Sequence, residues 1–167
     1  MINSALFSSK SDEWATPQCV FDDLNREFNF TLDPCANINN HKCEKYYTIE
    51  QNGVLQDWSN ERVFCNPPYS DIANWVEKAY YESINNNALV VLLIPARTDT
   101  RYFHNFIYNK AEVRFIKGRL KFGDSANSAP FPSMVVIFRP TNIQRVLYQC
   151  DSYGFPNVDM YGNLLYY

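Results

Sequence analysis

Apolar residues along this chain recur in two alternating periods. After Thr16-Pro17, a pair that reads as a helix cap and first turn, Val20, Phe21, Leu24 and Phe28 return at helical spacing and predict a helix to about Glu27. Phe28, Phe30 and Leu32 then alternate, predicting a short strand that ends at Asp33-Pro34. Residues 37–60 lack periodicity and read as irregular, with a short strand at Tyr46–Ile49. Val63-Phe64-Cys65 is the end of a buried strand, and a helix with Ile72, Trp75, Val76, Ala79, Tyr80 and Ile84 on one face follows, capped by Ser70 or Asp71. The run Ala88–Ile94 is continuously apolar, as in a strand covered on both faces. A helix capped by Thr98 or Asp99 carries Tyr102, Phe103, Phe106 and Ile107; strands at Glu112–Lys117 and Ser133–Phe138 and a last helix from Pro140, with Ile143, Val146, Leu147 and Cys150, complete the pattern.

Strands alternating with helices predict an α/β, three-layer sandwich with a mostly parallel sheet and an antiparallel strand near the C-terminus. No repeat or boundary divides the chain, so residues 1–167 read as a single domain, with a polar arm at 1–10 and a tyrosine- and glycine-rich tail at 153–167 that matches no element. At 167 residues and 46% hydrophobic content, such a domain can bury a substantial core. No apolar run approaches the ~20 residues of a membrane span, and the first ten residues lack a signal-peptide pattern, so a cytoplasmic location without membrane association is expected.

Five cysteines, none spaced C-x-x-C, argue against a disulfide framework. Cys35, His41 and Cys43 lack a fourth ligand, so no metal site is expected. The net charge of −3 conceals an asymmetry: residues 1–90 hold six Lys/Arg against thirteen Asp/Glu, whereas 91–167 hold nine against five. Four cations, Arg114, Lys117, Arg119 and Lys121, fall within eight residues free of acids, which suits either a polyanionic partner or a charged sheet edge.

The densest chemistry sits at Asn66-Pro67-Pro68-Tyr69, where the strand stops abruptly. Neither proline can donate to a ladder, and each restricts the residue before it, so Asn66 and the Pro67 carbonyl are held stiffly at a strand's carboxyl edge, where open α/β sheets bind ligands. Two acceptors beside the flat face of Tyr69 suit a planar ring with an exocyclic amine. The amino end of the first helix suits a carboxylate, and Asp33, at the end of the first strand, can neutralise an amino group or cap a turn. Asp57-Trp58 offers an acid for an adenine amine and a ring for stacking or packing. Ala36 and Asn37 stand where many nucleotide folds have a glycine loop.

These motifs together, W-x-T-P at Trp14 to Pro17, L-D-P-C-A at Leu32 to Ala36, D-W at Asp57-Trp58, N-P-P-Y at Asn66 to Tyr69, P-A-R-T-D-T at Pro95 to Thr100, G-R-L-K-F at Gly118 to Phe122 and A-P-F-P-S at Ala129 to Ser133, resemble the successive blocks of the phage-type DNA adenine-N6 methyltransferase family over roughly residues 8–140. The resemblance implies a Rossmann-like class I methyltransferase fold, S-adenosylmethionine as cofactor and adenine in DNA as substrate. By position it implies a catalytic role for Asn66, Pro67, Pro68 and Tyr69. Cofactor contacts are implied for Thr16, Pro17, Asp33 and Asp57, with Trp14, Pro34, Cys35, Ala36 and Trp58 in the same blocks. Phe131 is a candidate for a second base-contacting wall, and Arg97, Arg101, Arg119 and Lys121 are expected on the phosphates. Two other functions fit the residues: a protein glutamine methyltransferase, since N-P-P-Y can also present an amide nitrogen, and a catalytically silent DNA- or protein-binding domain of the same fold. One domain leaves little room for a separate recognition module, so modest sequence selectivity, or a partner, is expected; the oligomeric state is open.

Overall fold

The computed structural model describes residues 14–123 and 127–140. Six strands, β1 (Leu32–Asp33), β2 (Lys45–Tyr46), β3 (Arg62–Cys65), β4 (Leu89–Pro95), β5 (Glu112–Phe115) and β6 (Ser133–Phe138), form one sheet in the order β2-β1-β3-β4-β6-β5. The pairs β1/β2, β1/β3 and β3/β4 are parallel, whereas β6 runs against both β4 and β5, which makes the sheet mostly parallel with one reversed strand.

Side-chain alternation along the central strands sends two apolar sets to opposite faces. Val63, Cys65, Val90, Leu92, Ile94, Met134, Val136 and Phe138 pack with Trp75, Val76 and Ala79 of α2 (Ile72–Asn85). Phe64, Val91, Leu93, Val135 and Ile137 pack with Phe21 and Phe28 of α1 (Gln18–Phe28). The buried run Ala88–Ile94 is apolar throughout because β4 faces helical cover on one side and the phenylalanine cluster on the other.

Several element ends differ from the sequence reading, each for a local reason. Pro17, not Thr16, caps α1, with no side-chain cap bond. Phe28 ends that helix instead of opening a strand: Asn29 takes the left-handed conformation (φ 51°) and returns its N–H to the Asn25 carbonyl, while the Asn25 side chain takes the Phe30 N–H. Only Leu32 and Asp33 remain to pair as β1. The second strand falls at Lys45–Tyr46 rather than Tyr46–Ile49. The predicted helix with Tyr102 and Phe103 contains a wide π turn at Phe103–Ile107, with Phe103 and Ile107 buried. The arm at 1–10, the helix after Pro140 and the tail at 153–167 lie outside the described residues. Among those described, no helix is long and apolar enough to cross a membrane.

Arg114 belongs to the scaffold rather than to a cationic surface. Its guanidinium bridges Glu27 at the end of α1 and Glu112 in β5, Arg139 also reaches Glu112, and both arginines lie over the Phe28 ring. The ion pairs hold the Glu27 and Glu112 carboxyls below their ordinary range.

Behind β1, Gly53 lies directly under the next loop: a Cβ there would fall 1.9 Å from the Pro34 carbonyl oxygen. Its carbonyl accepts the Trp58 indole N–H at 2.9 Å, so a buried tryptophan and a close backbone approach fix the loop together. Gly53→Ala is therefore expected to cost about 3 kcal/mol, the upper end of the overpacking range, read by denaturant unfolding; an unchanged midpoint would contradict the crowding.

Candidate active site

The sheet order brings the functional segments to one edge. The parallel strands β1 and β3 are where the strand succession switches sides, to β2 on one flank and to β4 on the other, and the crevice at that switch point, on the carboxyl side, is flanked by Asp33-Pro34 on one strand and Cys65-Asn66 on the other. Pro95 ends β4 at the same edge. Because β6 is antiparallel, its first residue, Ser133, pairs with Pro95, and the Ala96 N–H donates to the Pro132 carbonyl at 2.9 Å. Phe131 thus arrives beside the Asn66 loop although 65 residues separate the two in sequence.

Asn66 is the most constrained polar group here. Its amide NH2 donates to the Trp14 carbonyl and, at 3.0 Å, to the Thr16 hydroxyl. Its side-chain oxygen is buried and has no hydrogen-bond partner among the described residues. An unpaired buried acceptor costs on the order of 1–3 kcal/mol, and such an atom in a folded protein calls for an explanation in strain, a bound water or ion, or a catalytic role.

Around it stands an aromatic cluster. Trp14 lies nearly parallel to Tyr69, with centroids 6.3 Å apart and planes 15° apart, and meets Phe122 and Phe131 edge-on at 5.4 and 5.3 Å. Phe131 also meets Tyr69 edge-on at 5.4 Å. The Tyr69 hydroxyl is buried without a partner, and burial pushes its pKa upward, so the ring stays neutral. The structure thus gathers Trp14, Thr16, Asn66, Tyr69 and Phe131 at one place. It adds Phe122, which the sequence reading left within a basic stretch.

Asp33 has a different duty. Its two carboxylate oxygens accept the Cys35 N–H at 3.3 Å and the Lys42 N–H at 3.0 Å, so it staples the loop after β1. The Ala36 N–H reaches the Tyr47 carbonyl, and the Tyr47 N–H reaches the Asp33 carbonyl, continuing the β1/β2 pairing beyond the strands. These bonds shape the loop without the glycine pattern of many nucleotide folds. Burial raises the Asp33 pKa to about 6, outweighing the backbone donors. The thiol of Cys35 is pushed up to about 12 by burial and by Asp33, which makes it unreactive. Pro34 and Ala36 line the same turn.

Two cofactor assignments meet obstacles. Trp58 is completely buried, stacked beside Trp75 and bonded to Gly53, so it packs in the core and has no free face for a ligand. Asp57 is exposed, and its carboxylate accepts the Ser59 N–H and hydroxyl, a local turn that holds its pKa low. Pro17 does sit beside the site, at an α1 amino end with no acid in its first turn.

Arg97, Arg101, Lys117, Arg119 and Lys121 are all exposed, none forms an ion pair with another described residue, and they follow β4 or β5, whose ends lie at the Asn66 edge. A concavity of about 830 Å³ lined by Asn29, Arg62, Leu89 and Arg139 lies at the opposite, amino edge, away from these groups.

The model of the DNA N-6-adenine-methyltransferase (Dam) family matches residues 3–153. A DNA N-6-adenine-methyltransferase of Haemophilus phage HP1 (strain HP1c1) is 34% identical over 148 residues, covering 84% of this chain and 86% of the phage protein. One from Escherichia phage T1 is 35% identical over 111 residues, covering 65% of this chain and 46% of that protein.

The raised Asp33 pKa has a definite sign. Between about pH 6 and 4 the folded chain binds more protons at this carboxyl than the unfolded chain does, so acidification through that window favours folding at this group, opposite to Glu27 and Glu112. A carbon-13 titration should show the Asp33 carboxyl changing near pH 6; a midpoint in the ordinary aspartate range would refute the burial.

Proposed function

Because the chain belongs to the DNA N-6-adenine-methyltransferase (Dam) family, it is a DNA adenine-N6 methyltransferase, and we propose that Asn66, Pro67, Pro68 and Tyr69 carry the reaction on a flipped-out adenine. We read the sheet, covered on both faces, as a three-layer sandwich of the Rossmann-like methyltransferase type. The observation that carries the site assignment is the buried, unpartnered oxygen of Asn66, an acceptor awaiting a donor at the switch-point crevice.

The N6 lone pair is delocalised into the purine ring, so the amine is a poor nucleophile. Asn66 Oδ1 and the Pro67 carbonyl accept its two hydrogens in a geometry that favours a pyramidal nitrogen, and the interaction strengthens as the transition state forms. Pro67 and Pro68 hold both acceptors stiff, so little reorganisation is left to the reaction. Tyr69 stacks on the extruded base and Phe131 forms the second wall. Stacking worth roughly 1–3 kcal/mol per base offsets much of the few kcal/mol spent in leaving the duplex. Arg97, Arg101, Arg119 and Lys121 hold the phosphates.

The residues present fit S-adenosylmethionine at the crevice. The α1 amino end, beside Thr16 and Pro17, carries no acid or side-chain cap and suits a carboxylate, and Asp33 with Pro34, Cys35 and Ala36 forms the facing wall. When bound, S-adenosylmethionine would supply an activated sulfonium methyl group for the amine that Asn66 and Pro67 hold. Asp57 reaches this cofactor only from the exposed rim, and Trp58 supports it from the core. We place the reaction in the cytoplasm of the cell that holds the DNA.

Incubation with unmodified DNA and S-adenosylmethionine, followed by nucleoside analysis, is expected to yield N6-methyl-2′-deoxyadenosine; a methylated protein with unmodified DNA would overturn the assignment. Asn66→Ala should lower turnover by at least about a hundredfold while cofactor affinity holds, and equal loss of both would count against its role. If all four cations engage phosphates, the logarithm of duplex affinity should fall against the logarithm of salt with a slope of about −3.6. A flat response would remove them from the interface.

A further inference from the structure

The Asn66 side chain can be seated two ways, related by a half-turn of its amide, and only one presents an acceptor to an incoming amine. Three consecutive residues before α1 choose between them. The Trp14 carbonyl can only accept, so the atom facing it must be the NH2; turning the amide over would set two acceptors against each other. The second N–H goes to the Thr16 hydroxyl at 3.0 Å. With both donors spent on this strap, the oxygen is left on the far side, where it is buried and unpaired.

The strap is itself anchored. The Ala15 carbonyl accepts the Gly123 N–H at 2.8 Å, and the Trp14 ring is held by Tyr69, Phe122 and Phe131. Thr16 is 7% exposed, and its hydroxyl makes no cap bond to α1, since Pro17 caps that helix without side-chain help. A buried hydroxyl freed from the usual work of a threonine before a helix is left with one partner among the described residues, the Asn66 amide.

We infer that Thr16 is a positioning residue for methyl transfer: its hydroxyl and the Trp14 carbonyl lock the Asn66 amide with its oxygen towards the substrate. The inference rests on the proposed role of Asn66 and deepens it. It also moves Thr16 from the cofactor contacts implied by its sequence block to the apparatus that orients the acceptor. Thr16 then acts on the rate of transfer rather than on cofactor affinity.

The test pairs Thr16→Val, which keeps the shape and removes the hydroxyl, with Thr16→Ser, which restores it. Thr16→Val is expected to lower single-turnover kcat about tenfold, the worth of one orienting hydrogen bond. The Kd for S-adenosylmethionine and the KM for DNA should stay within about twofold, and Thr16→Ser should recover most of the rate. A Thr16→Val enzyme with undiminished kcat, or one whose whole defect lies in cofactor affinity, overturns the inference. Asn66→Ala run alongside separates the two levels: if it keeps full turnover, the catalytic reading of Asn66 fails first, whereas its loss beside an unaffected Thr16→Val fails the positioning role alone. Asparagine-selective nitrogen-15 labelling of the unmodified protein gives a readout that needs no variant to fold. The Asn66 side-chain protons should exchange slowly with solvent, and rapid exchange of both would refute the lock.

Discussion

A peptide carbonyl cannot donate a hydrogen bond, and the placement of one such group settles the polarity of the whole site. The Trp14 oxygen meets the Asn66 amide and obliges it to spend its hydrogens on the protein. What remains for a ligand is a buried acceptor with no partner among the described residues. The stiffness of Pro67 and Pro68 matters because of this: a rigid backbone would be of little value behind an amide free to turn over. Catalysis by fixed acceptors of this kind depends on orientation established before substrate arrives.

The sheet supplies the meeting place. The switch of strand order between the parallel β1 and β3 opens the crevice, and the single antiparallel strand brings the segment before Ser133 back to the same edge. A fully parallel sheet would start its last strand at the far end, and Phe131 would lie a strand's length from Tyr69. The ion pairs of Arg114 and Arg139 with Glu27 and Glu112 tie α1 to β5 and β6 on the side away from the chemistry. The helix that begins at the site is thereby anchored at its other end.

Much of this was legible in the chain. The apolar run of β4, the amphipathic stripe of α2 and the abrupt stop at Asn66-Pro67-Pro68-Tyr69 state their places by period and by proline chemistry. What escaped depends on contacts distant in sequence. Nothing around Thr16 says that its hydroxyl turns from the helix towards a residue fifty positions away. Gly53 sits in an aperiodic stretch, and only the Pro34 carbonyl overhead explains why a side chain has no room there. Trp58 shares a motif with an exposed acid yet points into the core, because successive residues leave a backbone in different directions. Phe122 closes the G-R-L-K-F block among lysines and arginines, and nothing in that block says that its ring meets Trp14.

The two walls of the crevice are unequally built. β4 pairs along six residues with β6 and along four with β3, whereas β1 meets β3 at one register pair and β2 at two. Local opening follows the density of such pairing. The Asn66 side of the crevice is therefore founded on the most densely paired strands among the described residues and the Asp33 side on sparsely paired ones. With S-adenosylmethionine seated as proposed, its entry and exit would call on small excursions of β1 and its loop while the more densely paired β3 and β4 stay at rest.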